Sequence, residues 1–180
     1  MIFKFLDYKK KEIIFESKSG ELRVRKEKDL LILNFPSDKA REANLPPSVG
    51  VGIGMLPLET FKGKTDYLLV YESREQIENI KPDFVKLAEA EARGIIITAP
   101  GKDCDFVSRF FAPAAGVDED PVTGSAHTLL IPYWSKKLSK IEMTAKQLSR
   151  RKGFLICKFL NDRVDIGGKA VLFLKGEIVI

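Results

Sequence analysis

The chain of 180 residues is poor in the side chains that most often build metal and redox centres. It has one histidine and two cysteines, and no CxxC pair indicates metal or redox chemistry. Cys104 and Cys157 lie far apart in strand-like runs, so we expect reduced, buried thiols. No apolar run approaches a membrane span, and the N-terminal residues lack the pattern of a signal peptide. The sequence therefore predicts a cytoplasmic protein with no metal site and no membrane contact.

The chain is moderately basic, with a net charge of +5 at pH 7, yet it lacks the pattern of a nucleic-acid-binding protein. Basic clusters at 9–11 and 150–152 could each touch a phosphate, but solvated turns are the favoured interpretation. A nucleic-acid interface interleaves a basic face with exposed aromatic rings, and the sequence offers no such face. We therefore expect no nucleic-acid partner.

The first third of the chain has the alternation and turn chemistry of β-strands. Residues 12–17, 21–26 and 30–35 predict three short strands joined by tight polar turns, which is typical of an antiparallel meander. After Pro36, the run from Ser37 to Leu45 predicts a helix that must end at the following prolines.

The glycine-rich run SVGVGIG, which starts at Ser48, is the one stretch that suggests a nucleotide fingerprint. That fingerprint requires a helix directly after the glycines, whereas Pro57 and another strand-like stretch follow here. We therefore predict a strand or a bulged edge over 48–57 rather than a phosphate-binding loop.

The remainder alternates between strands and two helical regions. Two strands joined at Gly63-Lys64 precede short helical segments over 75–80 and from Pro82 onwards, where Phe84, Leu87 and Ala88 form an apolar stripe. A helix that is apolar on nearly all sides follows His127, which predicts burial within a sheet, with a kink at Pro132. Further strands run to the C-terminus, the last over 169–180. The fold class expected is α+β, with mostly antiparallel strands wrapped around a central helix.

Chemistry is concentrated between Asp105 and His127, in DFVSRFFAPAAGVDEDPVTGSAH. Asp120 precedes a proline and is therefore biased toward an extended backbone, so that the helix begins only after it. Thr123 is a suitable N-cap, and small residues in the first turn leave unpaired backbone N–H groups open to a ligand. Such a helix entry binds a carboxylate or a phosphate readily. Asp120 would then lie beside a bound anion, where a carboxylate can exchange a proton with the ligand.

Other interpretations of this stretch remain open from spacing alone. The acidic run 118–120 could simply complement the helix dipole. A serine hydrolase is disfavoured, because Ser125 and His127 are two positions apart on a helix and point to different faces, and because GxSxG is missing. The stretch also lacks a recognisable metal-ligand spacing. His127 is more often a packed helix-face histidine than a catalyst.

The segment FVSRFFAPAAGVDEDPVTGSAH resembles the signature of the PhzF-like phenazine-biosynthesis family, which shares the diaminopimelate epimerase-like fold. Similar stretches occur in the same order at KSGEL, FKGKTDYLLVYES, IIITAPG and GKAVLFLKGEI. The resemblance implies two similar α+β halves with an active site in the cleft between them. It also implies cofactor-independent proton transfer, as in isomerisation or epimerisation.

By this resemblance the catalytic positions are Asp120 and Ser125, with Thr123, Gly124 and Ala126 at the substrate; the backbone of the GSA run would bind the acidic group of the substrate. Family members also carry a longer N-terminal section with a catalytic glutamate and a histidine. This chain is expected to begin after that section, with MIFKFLDY as the tail of a helix of the first half.

The resemblance also suggests a division of the chain. Residues 1–36 would be a remnant of the first epimerase-like half, and 37–168 the second half with its central helix over 124–139. Residues 169–180 would be C-terminal strands that return to the first half.

The leading hypothesis is a PhzF-like isomerase or epimerase that needs no cofactor and acts on a small anionic metabolite. A second copy or a complementing chain is the expected protein partner. The alternative is a non-catalytic remnant of the fold that self-associates or binds small anions.

Overall fold

A computed structural model describes residues 3, 8–18, 20–174 and 176. Within them the strands are β1 (Glu12–Ser17), β2 (Gly20–Glu27), β3 (Leu30–Pro36), β4 (Arg41–Glu42), β5 (Glu59–Lys62), β6 (Asp66–Val70), β7 (Gly94–Pro100), β8 (Phe106–Phe111), β9 (Glu142–Gln147), β10 (Gly153–Leu160) and β11 (Arg163–Gly168). The helices are α1 (Pro47–Ile53), α2 (Arg74–Asn79), α3 (Phe84–Ala88) and α4 (Gly124–Leu138), with a 3₁₀ turn at Pro113–Ala115.

The strands form one continuous sheet in the order β1-β2-β3-β11-β10-β9-β8-β7-β6-β5-β4. Neighbours are antiparallel except β6 with β7 and β8 with β9, which are parallel. The predicted meander is confirmed, because β1 pairs with β2 and β2 with β3 in antiparallel register. It joins the rest of the sheet through β3, which pairs with β11.

Alternate side chains of the central strands pack into two separate hydrophobic cores, because successive side chains of a strand point to opposite faces of the sheet. Leu68 of β6 and Ile96 of β7 face a core that contains much of α4. Leu69 and Ile97, one position further along, face a second core that contains residues of α1, α2 and α3. The central part of the sheet is therefore covered on both faces, and the predicted α+β class is confirmed.

Helix α4 is the buried central helix that the sequence predicted. Its N-cap is Thr123, and it ends at Ser139, which adopts the left-handed conformation at φ 54°. Pro132 lies inside it. Leu130 and Trp134 are at most 2% exposed, so the helix is held mainly by apolar packing, which contributes about 1.5–3 kcal/mol for each fully buried large side chain.

The strand predicted over 48–57 is wrong, because α1 occupies 47–53. Pro47 suits the first turn of a helix, and Gly54 at φ 71° closes the last turn by donating its N–H to the carbonyl of Gly50. A Cβ at Gly52 would lie 2.6 Å from Cδ2 of Leu87. Glycine at position 52 therefore permits a close contact between α1 and α3. The sequence pattern of one segment cannot reveal such a contact with a distant segment.

The helix predicted over 37–45 is also wrong, since this segment is extended and contains β4. Its hydrogen bonds go to distant residues: the N–H of Ser37 to the carbonyl of Asp162, and that of Asp38 to the carbonyl of Thr128. The Asp38 carboxylate accepts from the backbone N–H of Lys64 at 2.9 Å. These tertiary bonds outweigh the weak local helix preference.

Smaller differences concern chain segments outside the sheet. Residues 169–174 carry no strand, and the rest of the predicted closing strand, like most of the MIFKFLDY segment, lies outside the described residues. Asp83, not Pro82, begins α3, because its carboxylate caps the helix. No helix in the described part of the chain is long and apolar enough to cross a membrane.

The two cysteines are free and differ in burial. Cys157 is buried in β10, and burial raises the pKa of its thiol to about 12. Cys104 contradicts the prediction of a buried strand residue, because it lies partly exposed in the turn between β7 and β8. Burial raises the pKa of the Cys104 thiol as well, so neither thiol is activated as a nucleophile.

Candidate active site at the N-terminus of the central helix

The turn that leads into α4 holds a carboxylate in one orientation. The hydroxyl of Thr123 donates to Oδ2 of Asp120 at 2.6 Å, and the N–H of Asp120 donates to the carbonyl of Phe110. Thr123 is the N-cap residue as predicted, but its side chain makes no capping bond; its hydroxyl oxygen accepts from Nε2 of Gln147 instead of from a backbone N–H of the first turn. Among the described residues no donor contacts Oδ1 of Asp120, which leaves that oxygen for a ligand.

Two buried side chains at and just after the C-terminal end of β9, Gln147 and Ser149, hold this turn by hydrogen bonds. Oε1 of Gln147 accepts from the N–H of Thr123 at 2.8 Å, and Nε2 donates to the carbonyl of Asp120 at 2.7 Å and to Oγ1 of Thr123 at 3.2 Å. The hydroxyl of Ser149 donates to the carbonyl of Pro121. Gln147 is fully buried, so its bonds are shielded from water and fix the turn rigidly.

The first turn of α4 is formed by small residues, as the sequence predicted. Gly124 packs beside β3: a Cβ there would lie 3.5 Å from Cδ1 of Leu33 and 3.9 Å from Cε2 of Phe35. Ala126 is 1% exposed, so only its backbone could contact a ligand. No acidic residue lies within the first turn, and the positive end of the helix dipole is therefore not neutralised from inside the helix.

Ser125 is bound by an arginine. Nη1 of Arg93 donates to Oγ of Ser125 at 2.8 Å. The same guanidinium forms a bidentate pair with Asp66, with Nε donating to Oδ1 at 2.9 Å and Nη2 donating to Oδ2, and it lies over the ring of Phe110. Hydrogen bonding to Asp66, together with the nearby charges of Asp120 and Asp38, raises the pKa of Arg93, so it is permanently cationic.

A cleft of about 300 Å³ opens beside Ser125, Arg93 and Asp66, and Asp120 is not among the residues that line it. One wall comes from the meander and the segment after it, and the other from the central helix and its neighbouring strands. Its lining residues are Leu22, Phe35, Pro36, Ser37, Asp38, Lys64, Thr65, Asp66, Arg93, Ser125 and Thr128. Beside the serine hydroxyl the cleft therefore carries two cations, Arg93 and Lys64, and two carboxylates, Asp66 and Asp38, which accept hydrogen bonds from Arg93 and from the backbone N–H of Lys64.

His127 is removed from the cleft by burial. It is 0% exposed, and its Nδ1 lies 2.8 Å from the carbonyl of Thr123. Because a carbonyl only accepts, Nδ1 carries the proton. Burial lowers the pKa of His127 to about 4, so the ring is neutral at pH 7. Within the part of the chain that the structure describes, its Nε2 has no hydrogen-bond partner and the hydroxyl of Ser125 is bound by Arg93, so no serine–histidine pair forms.

The rest of the acidic run is used structurally or lies at the surface. Glu119 pairs with Arg109 through Nε at 2.7 Å, and Asp118 is exposed. Within the described ranges no group of three or more histidine, cysteine, aspartate or glutamate side chains could hold a metal ion.

Sequence reasoning missed Arg93, Asp66 and Gln147. One of them had a signal: Gln147 follows Met143 and Ala145 at two-residue spacing, which puts a polar side chain on the buried face of a strand. Arg93 and Asp66 had none, because no local pattern connects an arginine with an aspartate 27 residues earlier. Their partners lie 27 and 32 residues away.

Comparison with known proteins matches nearly the whole chain to one protein family. The family model for phenazine biosynthesis-like proteins (PhzC-PhzF) matches residues 1–176. A protein of Pseudomonas aeruginosa named as an uncharacterized isomerase is 46% identical over 99% of this chain and 68% of its own length. The chain thus spans about two thirds of that relative.

Solved structures agree with the sequence comparison. A PhzF-family phenazine biosynthesis protein of Enterococcus faecalis superposes with a TM-score of 0.92 at 38% identity, covering 99% of this chain and 69% of that one. A hydroxyproline epimerase of Agrobacterium vitis, at 9% identity and a TM-score of 0.51 over 93% of this chain and 59% of its own, shares the fold alone. The chain belongs to the phenazine biosynthesis-like PhzC-PhzF family.

Proposed function

We propose that this chain supplies one wall of the active site of a PhzF-like isomerase that moves a proton within a small carboxylate without a cofactor. One observation carries the proposal: a carboxylate, Asp120, is held by the Thr123 hydroxyl beside the open first turn of a 15-residue helix. The name of the P. aeruginosa relative as an isomerase supports the reaction class.

The anionic end of the substrate would be bound by the first turn of α4. Backbone N–H groups of Gly124, Ser125 and Ala126 point out of the helix end, where the dipole favours negative charge. Removal of a proton next to a carboxylate moves negative charge onto the carboxylate oxygens. Donors that are already oriented toward those oxygens stabilise the charge without reorganising.

Asp120 would serve as one of the proton-transfer groups. Its Oδ2 is occupied by Thr123, so Oδ1 is the oxygen that exchanges a proton with the substrate carbon. An isomerisation removes one proton and returns one, with no net oxidation, so a second acid–base group is needed. The family resemblance implies a glutamate for that role in the N-terminal section of the relatives.

The test is exchange of substrate protons for deuterium in D₂O. The chain would be assayed alone and joined to the N-terminal third of the P. aeruginosa relative, with small carboxylates that carry a C–H beside the carboxylate. Asp120→Asn should slow exchange by roughly a hundredfold or more, since positioned acid–base groups contribute about 10²–10⁴ in rate.

Asp118→Asn is the matched control, because it removes an exposed carboxylate two positions away; its exchange rate should match wild type. Exchange by Asp120→Asn at the wild-type rate would remove Asp120 from the mechanism. A protein that binds carboxylates at α4 but exchanges no proton in either form would instead support the non-catalytic, anion-binding alternative.

A further inference from the structure

Arg93 occupies a fixed position at the edge of the cleft. Its own N–H donates to the carbonyl of Thr65, and the next residue, Gly94, lies so close to Phe110 that a Cβ there would come within 2.3 Å of Cζ. The guanidinium is clamped by Asp66, which is 4% exposed. Backbone and side chain together leave little freedom for the head group to move.

Among the described residues, the Arg93 guanidinium, which lines the cleft, has hydrogen-bond donors without an acceptor. An arginine side chain has five N–H donors in a planar fork. Nε, Nη1 and Nη2 each donate one bond, to Asp66 or to Ser125. One N–H on each terminal nitrogen is therefore left, and the side chain is 38% exposed where it lines the cleft.

The hydrogen bond from Arg93 also determines which groups of Ser125 can bind a ligand. Arginine only donates, so Oγ of Ser125 must accept in this contact. The hydroxyl proton is then free for another acceptor. The Ser125 carbonyl is already engaged by the hydroxyl of Thr128 at 2.7 Å, so the hydroxyl proton and the backbone N–H are the groups that Ser125 can offer to a ligand.

We propose that Arg93, clamped by Asp66, is a substrate-recognition residue of this cleft: it binds an anionic oxygen with its free N–H groups and orients Ser125 as a hydrogen-bond donor to the same ligand. The inference rests on the proposed function and adds a recognition residue to it. The ligand must present an anionic group with at least two acceptor oxygens, one for Ser125 and one for Arg93. Lys64, on the same cleft, adds a second positive charge.

A structural ion pair between Arg93 and Asp66 is the competing explanation, and anion titration separates the two. The ¹⁵N-labelled chain would be titrated with malonate and, separately, with inorganic phosphate at constant ionic strength, with malonamide as the neutral probe. The amide signals of Gly124, Ser125 and Ala126 and the Nε–H signal of Arg93 report binding. Wild type should show saturable shifts with both anions and none with malonamide.

Arg93→Met should weaken anion affinity by about tenfold or more, since hydrogen bonds to charged groups carry about 1.5–3 kcal/mol. Because this change leaves the buried Asp66 carboxylate unpaired, the double variant Arg93→Met with Asp66→Leu is made as well. The double variant removes both members of the ion pair, a change that often costs a protein little stability. It should show the same loss of anion affinity as Arg93→Met.

Arg74→Met is the charge-matched control, because Arg74 pairs with Glu78 and Asp103 outside the cleft. Its affinity should stay within about twofold of wild type, as expected for a screened surface charge. If folded Arg93→Met or the double variant binds malonate as tightly as wild type, Arg93 has only a structural role and the inference fails. If wild type itself shows no saturable shift at the α4 amides, the anion site of the proposed function fails instead.

Discussion

Asp120 and His127 are titratable side chains before and after the start of α4, and they differ in burial. Asp120 is partly exposed, and among the described residues only its Oδ2 accepts a side-chain hydrogen bond. His127 lies four residues beyond Thr123 on the buried side of α4, with Phe106 as its aromatic neighbour. The only histidine of the chain is therefore a neutral packing residue, and Asp120 is the residue to which we assign proton transfer in the proposed function.

The burial of His127 predicts a pH dependence of stability. The pKa of the folded form is lowered to about 4 from an ordinary 6.5, so the unfolded chain binds more protons between these values. Stability is then complete above pH 6.5 and falls as the pH decreases toward 4, by about 3 kcal/mol in total. Urea unfolding at several pH values between 7 and 5 measures the part of this loss that occurs above the ordinary pKa values of carboxylates.

His127→Leu should remove most of that slope, because no other histidine is present. The variant loses the bond to the Thr123 carbonyl, so its stability at pH 7 should be lower than that of wild type, by about 1–3 kcal/mol. A slope between pH 7 and 5 that is equal in both proteins would contradict the assignment of a buried neutral imidazole.

Among the elements, α1 shows how packing can override a local pattern. VGVGIG has the composition of a bulged strand, yet the segment is helical and packs against α3. The reason lies at Gly52, whose missing side chain makes room for Leu87. A helix with two internal glycines is weak by itself, and tertiary contact stabilises it.

Gly52→Ala should destabilise the protein by about 1–3 kcal/mol, the usual cost of overpacking a tight contact. The added Cβ would lie 3.1 Å from the backbone nitrogen of Leu87, and backbone cannot rotate away. Thermal and urea unfolding measure the change.

Gly50→Ala is the control in the same helix. Its nearest neighbour would be Cδ2 of Leu45 at 3.3 Å, the tip of a flexible side chain, while alanine improves helix propensity by up to about 1 kcal/mol. We expect stability equal to or above wild type. An equal loss in both variants would show that the interhelical contact at Gly52 is not the cause.

For the whole molecule, the decisive feature is the junction between the meander and the rest of the sheet. Asp165 of β11 accepts from Nη1 and Nη2 of Arg25 at 3.2 and 2.8 Å and from Nδ2 of Asn34 at 2.7 Å. These hydrogen bonds link β2 and β3 to β11. Although burial acts to raise it, the bonds hold the pKa of the Asp165 carboxyl below its usual range.

Asp165→Ala should loosen the meander selectively. Loss of charge-assisted bonds worth about 1.5–3 kcal/mol should speed amide hydrogen exchange in β1–β3 by roughly 10–100-fold, while β6–β8 keep their protection. Glu27→Ala is the control, because it removes the exposed partner of the same Arg25. Equal protection of the meander in Asp165→Ala and wild type would contradict a stabilising role for this junction.

The division of the chain into two halves and the expected self-association stay predictions. Apolar side chains are exposed on the meander and on β10, among them Phe15 and Phe154. The described residues nevertheless form one unbroken sheet across the expected boundary at 36–37, so the second half is bonded directly to the first.

The sequence by itself determined the features that depend on near neighbours. The meander follows from alternation and turn residues, the buried α4 from apolar side chains on nearly all of its sides, and the start of α4 only after Asp120 from the proline at 121. The family motif likewise lies within one short segment.

Only the tertiary structure decided the features that depend on contacts between distant residues. It made 47–53 a helix, because Gly52 meets Leu87, and 37–45 extended, because its backbone bonds reach α4 and the turn after β10. It brought Arg93 to Ser125 over 32 residues and Gln147 to Thr123 over 24. Such contacts arise only once the sheet has set the distances between strands, and so the cationic side of the site and the support beneath Asp120 could not be deduced from spacing.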